Sequence, residues 1–148
     1  MARRRSARRL TIRAWEALKN TNGAVVFISG SAALDPKPGF AAVAAINAAI
    51  IAFAKPFAEQ GIKDGVQVNS VVPGAVMTGR RRSFTEHWAP EHGMSVEEAM
   101  KRFPEKTGIA RYGEPEEIAG LMAYLVPKEA HWLTGASVRM DGGEITGI

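Results

Sequence analysis

The chain has 148 residues, 46% of them hydrophobic and 23% charged, which is material for one domain with a buried core and not for a disordered tail. It has no cysteine, so disulfides, thiolate metal sites and cysteine nucleophiles are excluded. No uninterrupted apolar run reaches the roughly 18 residues expected of a membrane-spanning helix. The net charge of +4 is concentrated at one end: Arg3, Arg4, Arg5, Arg8, Arg9 and Arg13 precede any acidic residue, and the rest of the chain has 13 basic and 15 acidic residues, a net −2.

An arginine-rich start is compatible with a mitochondrial presequence or a nucleic-acid-binding arm, but charge runs are usually solvated helix faces. Leu10, Ile12, Ala14 and Trp15 are interrupted by Thr11, Arg13 and Glu16, which is not the apolar stretch of about 7–15 residues that an export signal needs. The expectation is therefore a solvated face on a cytoplasmic protein, without membrane or nucleic-acid partners.

The first predicted helix covers residues 6–18, with Leu10, Ala14 and Leu18 as its apolar stripe, and Asn20-Thr21-Asn22-Gly23 ends it with turn chemistry. Ala24-Val25-Val26-Phe27-Ile28 is a continuous apolar run of the kind found in parallel strands covered on both faces, and Ser29-Gly30-Ser31 stops it. Residues 40–57 form the longest helical pattern; apolar residues surround it, which predicts a helix buried on most sides. Val66, Val68, Val71 and Val72 mark a second strand closed by Pro73-Gly74. Residues 77–107 are polar and carry a capping box, Ser95 to Glu98, that opens a short helix. Pro115-Glu116-Glu117 starts another helix, running to about Val126, and residues 136–140 form a third strand. Strands alternating with helices give an α/β fold, a partial Rossmann-like parallel sheet of about three strands with flanking helices, in a single domain over residues 1–148.

The segments GAVVFISGSAA, PGFAAVAAINAAIIAFA, VQVNSVVPGAVMT, RYGEPEEIA and LTGASVRMDGG together resemble the C-terminal half of the short-chain dehydrogenase/reductase family. The likeness spans about Ala14 to Gly143, in family order and spacing. No G-x-G-x-x-G or similar glycine spacing precedes the first strand, so the resemblance implies a truncated Rossmann-like domain without the dinucleotide-binding half.

The resemblance also implies where the site should lie. The family's catalytic tyrosine and the lysine four residues later correspond to Val43 and Asn47, and its catalytic serine to Gly30, with Ser29 and Ser31 as nearby hydroxyls. Valine exchanges no proton, and asparagine carries no charge to shift a neighbour's pKa, so the family's proton transfer lacks its groups. The cofactor-side segment PG-x-V-x-T matches Pro73, Gly74, Val76 and Thr78, which implies contact with the nicotinamide of NAD or NADP; the same residues also read as a strand end and a helix cap. Arg111, Gly113, Pro115 and Asp141-Gly142-Gly143 match segments of mainly structural role.

Other constellations are weighed from the residues alone. His87 and His92, with Glu86 and Glu91 beside them, have zinc-ligand chemistry, but Pro90 between them favours a solvated loop and no metal site is expected. Ser29 or Ser31 with a histidine base and Asp35 would make a serine-type hydrolase, although I-S-G-S-A is not a G-x-S-x-G elbow. Arg80-Arg81-Arg82 beside Phe84 and Trp88 lie, by the family match, in the loop over the substrate site, where they hold an acidic substrate or are solvated. The apolar 24–28 edge and the 40–57 helix predict self-association, through helices 6–18 and 40–57 by the resemblance. Two function classes result: an NAD(P)-dependent oxidoreductase acting on a carbonyl or alcohol, with a partner polypeptide supplying the missing half, and a non-catalytic oligomeric module.

Overall fold

The computed structural model describes residues 2–147, with side chains from Ala7 onward, so the side chains of Arg3, Arg4 and Arg5 lie outside the described residues. The elements are helix α1 (Ala2–Asn20), strand β1 (Ala24–Ile28), helix α2 (Ala41–Asp64), strand β2 (Gln67–Pro73), helices α3 (Gly79–Glu91), α4 (Val96–Thr107) and α5 (Pro115–Tyr124), and strand β3 (Ser137–Met140), with short 3-10 turns between some of them. The three strands make one parallel sheet in the order β1-β2-β3. Val25 pairs with Val68, Phe27 with Ser70, and Ser70 in turn with Ser137.

β2 is the centre of the molecule: every residue from Gln67 to Val72 is buried. Strand alternation puts Val68, Ser70 and Val72 on one face and Gln67, Asn69 and Val71 on the other. The first face meets α2, where Phe27, Ala54, Ala58, Val66 and Val68 form the core, supported by Ala7, Trp15, Leu18, Phe53 and Phe57. On the second face, the Gln67 side-chain amide donates to the carbonyls of Ala130 and Leu133, and the Asn69 amide donates to Leu133 while its carbonyl accepts from the Ala136 N–H. These bonds satisfy the Asn69 side chain and the amide donors of Gln67, whose Oε1 is buried without a partner, and they tie the chain after α5 to the sheet.

The helix boundaries depart from expectation in instructive ways. α2 does not end at Phe57 but runs through Pro56 to Asp64. Pro56 and Ala52, whose carbonyl loses its helical partner, are both exposed, so water takes the place of the missing N–H. Nor is α2 buried on most sides. Within the chain it buries Ala44, Ala54, Ala58 and Gly61, while Val43 and Ile46 in its first turns are 50% and 39% exposed. An 18-residue window within Pro38–Asp64 has a mean hydropathy of 1.8. By length and composition alone the helix is long and apolar enough to cross a membrane, although Asn47 and Lys55 interrupt its apolar run and one face packs on the sheet. On α1 the packed side is Ala7, Thr11, Trp15 and Leu18, whereas Leu10 is 71% exposed, so the stripe is set by tertiary contact and not by Leu10. Arg8, Arg9 and Arg13 are exposed, in agreement with a solvated face.

β1 is also less covered than its apolar run suggested. Val25 and Phe27 face α2, but Ile28 on the opposite face is 49% exposed. Among the described residues nothing pairs with its outer edge. The polar stretch 77–107 holds two helices; α3 is too polar to show a period in the sequence, and it places His87 on a helix and His92 at that helix's C-cap instead of both in a loop.

Two contacts lock α2 against its neighbours. The Trp15 indole N–H donates to the Asp64 carboxylate at 2.7 Å, joining α1 to the last turn of α2. Gly61 lies so close to the chain that any side chain would run into the Val66 carbonyl. Gly61→Ala is therefore expected to destabilise the fold by roughly 1–3 kcal/mol, the usual cost of overpacking, read as a lowered Tm in thermal unfolding.

Candidate functional site

The site candidates gather at the C-terminal ends of β1 and β2, where open parallel sheets bind ligands. Beyond β1, Gly30 and Asn47 meet: a side chain at Gly30 would start 2.9 Å from the Asn47 amide nitrogen. Ser29 donates its hydroxyl to the Asn47 main-chain carbonyl at 2.9 Å, and Ser31 begins a 3-10 turn whose main chain caps Leu34 and Asp35. Val43 is half exposed one turn before Asn47. The structure thus brings three of the sequence-selected positions into one neighbourhood, but no titrating group stands among Gly30, Val43 and Asn47. Nor does either serine hydrogen-bond to a histidine among the described residues: His87 and His92 each place Nδ1 on a main-chain oxygen of α3, from Ser83 and Trp88. Asp35 is paired with Lys37 at 2.7 Å. The described residues contain no cluster of three or more metal-ligating side chains.

The second part of the site continues β2. After Pro73 the chain passes Gly74, where a side chain would come within 2.7 Å of Asp141 and of the Glu144 carboxylate, so only glycine fits there. The N–H of Gly74 donates to the Met140 carbonyl, and that of Ala75 to the Glu144 carboxylate. Val76 forms a parallel bridge with Gly113. In this bridge Gly113 donates to Ala75 and accepts from Met77, so the N–H and C=O of Val76 point away and carry no hydrogen bond among the described residues. Thr78 caps α3, its hydroxyl oxygen accepting the Arg81 N–H at 3.1 Å; the hydroxyl proton is free to donate outward. A cavity of about 280 Å3 lies beside this turn, lined by Val76, Ala110, Arg111, Ile118, Met140 and Asp141 among others. A shallower apolar cleft of about 440 Å3 lies between the 33–38 loop and Ala41, Ala44, Ala45 and Ala48 of α2.

The turn is held by a strong local frame. Arg111 makes two bonds of 2.8 Å to the Glu117 carboxylate and a third to the Tyr112 carbonyl. Glu117 also accepts the Glu114 N–H, completing a capping box at the start of α5. The sequence showed Pro115-Glu116-Glu117 as a helix start, but not that Glu117 would be reached by Arg111, because that contact depends on the β-bridge at Gly113. The Glu144 contact was likewise invisible, since it joins residues 69 positions apart.

A family profile described as enoyl-(acyl carrier protein) reductase matches residues 4–144. The chain belongs to the short-chain dehydrogenase/reductase family. It is 33% identical over 125 residues to human dehydrogenase/reductase SDR family member 4, which covers 84% of this chain and 42% of that protein. It is also 33% identical over 129 residues to a 3-oxoacyl-[acyl-carrier-protein] reductase of Synechocystis, covering 86% and 47%. The chain thus spans about half the length of the curated relatives it matches. Among solved structures it superimposes on a short-chain dehydrogenase family protein from Francisella tularensis with a TM-score of 0.83 and 28% identity, covering 93% of this chain and 58% of that one. L-sorbose reductase from Gluconobacter frateurii, solved with NADPH and L-sorbose, matches in fold at a TM-score of 0.86 and 23% identity, covering 96% and 55%. The Rossmann-like parallel sheet expected from the sequence is the fold of these family members.

The Arg111 frame has a measurable pH signature. Hydrogen bonds from the Arg111 guanidinium and the Glu114 N–H hold the Glu117 carboxyl at about 2, below its ordinary 4.5. A carboxyl lowered by folding contributes stability that is complete above its unfolded value and fades as pH falls from about 4.5 toward 2. Glu117→Gln is expected to flatten this part of the acid-unfolding profile, measured by urea melts at a series of pH values.

Proposed function

We propose that this chain is the nicotinamide-side half of an NAD(P)-dependent short-chain oxidoreductase, and that residues 73–78 hold the carboxamide of the cofactor. The observation that carries the reading is Val76, whose N–H and C=O are both unpaired among the described residues and directed away from the Gly113 bridge. A carboxamide offers one acceptor and one donor, the complement of that pair, and the Thr78 hydroxyl proton supplies a further donor. Gly74, closely packed under Asp141 and Glu144, lets the turn lie flat. Three of the neighbouring solved structures contain NADPH and one contains NADH, which supports a nicotinamide nucleotide as the ligand class.

The bound cofactor would supply hydride transfer. The chain's own residues bind and orient, because Gly30, Val43 and Asn47 offer no group that exchanges a proton with a carbonyl or alcohol substrate. The pyrophosphate turn has no counterpart in this sequence, and the unpaired edge of β1 is where strands that carry one would add. In this reading a second half, on the same or another polypeptide, completes the nucleotide site. The non-catalytic alternative is favoured by the first half of α2, where Ile46 is exposed beside the exposed Ala41, Ala42, Ala45 and Ala48; on that reading the chain contributes an interface and not a reaction. The two readings share this interface, and we propose a homo-oligomer through α1 and α2.

Titration with NADH, NADPH, NAD+, NADP+ and nicotinamide mononucleotide, followed by the fluorescence of Trp15, Trp88 and Trp132, tests the cofactor reading. Quenching is expected with all five, the mononucleotide included, and Val76→Pro should abolish it by removing an N–H that makes no other bond. If none of the five binds, the nicotinamide reading fails for this chain and the non-catalytic module stands. Light scattering checks the interface: a dimer or larger species is expected at micromolar concentration, with Ile46→Glu shifting it toward monomer, and a folded wild-type monomer would refute self-association.

A further inference from the structure

Among the described residues no large apolar side chain is as open to water as Trp132, which is 99% exposed. The main chain around it is nevertheless fixed. The Gln67 amide, on the buried strand β2, donates to the carbonyls of Ala130 and Leu133 on either side of it. The Asn69 amide also holds the Leu133 carbonyl, the Leu133 N–H donates to Ala130, and the Gly135 N–H donates to Val68. A bulky aromatic presented to water by a rigid loop has little ordering left to lose on contact, which is the condition for a strong binding anchor.

A complement to this side chain lies on the same protein. The apolar cleft of about 440 Å3 is walled by Ala33, Pro36, Pro38, Ala41, Ala45 and Ala48, with Lys37 beside them. Flat walls of proline and alanine suit the face of an indole. Lys37 and Asp35, 2.7 Å apart, offer a cation to the ring and an acceptor to its N–H. The 3-10 turn Ser31–Ala33 runs from Gly30 to this wall, so the cleft adjoins the end of β1. Knob and cleft sit at opposite ends of α2. Gly135, three residues after Trp132, lies against Lys55 and Ala58, whereas the cleft uses residues 41–48. At about 1.5 Å per residue, Ala45 and Ala58 are roughly 20 Å apart along the helix, so the cleft of the same copy is out of reach. Two copies with their α2 helices antiparallel about a two-fold axis exchange these ends, and each Trp132 then faces the other's cleft.

We propose that Trp132 is a reciprocal anchor between two copies of this chain, each seating its indole in the cleft formed by the other's 33–38 loop and the first half of α2. This rests on the homo-oligomer proposed through α1 and α2, and it is independent of any nucleotide. Area decides for a second copy as the occupant. A seated tryptophan removes about 150–250 Å2 of its own surface from water and covers a similar area of its cleft, so one seat buries roughly 400 Å2 and two reciprocal seats roughly 800 Å2. A specific interface needs about 1,200 Å2 or more. One seat, all that an unrelated partner would fill, falls in the range of adventitious contacts. Two seats, with Ile46 and the exposed alanines of α2 between them, reach the required size. Trp132 of the second copy then closes the wall that begins at Gly30, so the end of β1 is completed across the two-fold axis.

Light scattering over a dilution series provides the test. Trp132 is almost wholly exposed in its own copy, so Trp132→Ala leaves the protomer intact. It is expected to raise the dissociation constant of the oligomer about thirty-fold or more, the effect of losing a hot-spot tryptophan. Ala45→Phe, which fills the cleft from an exposed position, should weaken association comparably. The decisive sample is an equimolar mixture of the two variants. One copy brings an intact Trp132 and the other an open cleft, so the mixed pair keeps one seat and should associate more tightly than either variant alone. A wild-type dissociation constant in Trp132→Ala would overturn the anchor while leaving the α1–α2 interface, probed by Ile46→Glu, in place. A mixture no tighter than its components would overturn it too, because the two positions would then not meet. A folded wild-type monomer at micromolar concentration refutes the oligomer itself, and the anchor with it.

Discussion

The whole arrangement depends on β2 being the middle strand of a parallel sheet. A middle strand has both edges hydrogen-bonded and both faces covered, and Gln67 to Val72 meet that condition with complete burial. On one side Val68 joins Phe27 and the small residues of α2 in the core. On the other, Gln67 and Asn69 use their amides to fasten the chain that follows α5. Because the strand is immobilised on every side, its continuation through Gly74 and Val76 starts from a fixed point. The candidate site is an extension of the best-packed element of the chain, the usual way for a rigid scaffold to position a loop.

The two parts of the candidate site are built differently. At the end of β1, Gly30 faces Asn47, Val43 stands a turn away, and Ser29 spends its hydroxyl on a main-chain carbonyl. At the end of β2 the geometry is main-chain geometry, fixed by a tight glycine, a β-bridge and a helix cap. A site made of side chains changes with single substitutions, whereas a turn shaped by the main chain holds for as long as the fold does.

The homo-oligomer we propose would draw on two exposed surfaces. Among the described residues the outer edge of β1 is unpaired, and Ile46 on α2 is 39% exposed. An unpaired apolar edge favours strand addition. The same helix anchors the core through Ala54, Ala58 and Gly61, and the Trp15–Asp64 hydrogen bond holds α1 alongside it.

The alternating strands and helices, the apolar runs at 24–28 and 66–72, the caps at Ser95 and Pro115 and the family motifs were legible because each depends on residues close together in the chain. The identity of the residues at 30, 43 and 47 was equally legible, and with it the absence of an acid or base there. Other features were decided only by the tertiary structure. α2 continues through Pro56 because its freed carbonyl faces water; α1 packs by Thr11 and Trp15, leaving Leu10 outside; α3 forms although its face shows no period. The Glu144 bond to Ala75 and the Arg111–Glu117 frame join residues from different elements. Sequence alone determined the kind of fold and the residue types at 30, 43 and 47, since local pattern and identity carry both. Which main-chain groups stay unpaired had to await the packing, because burial and long-range hydrogen bonds are properties of the assembled sheet and not of any one segment.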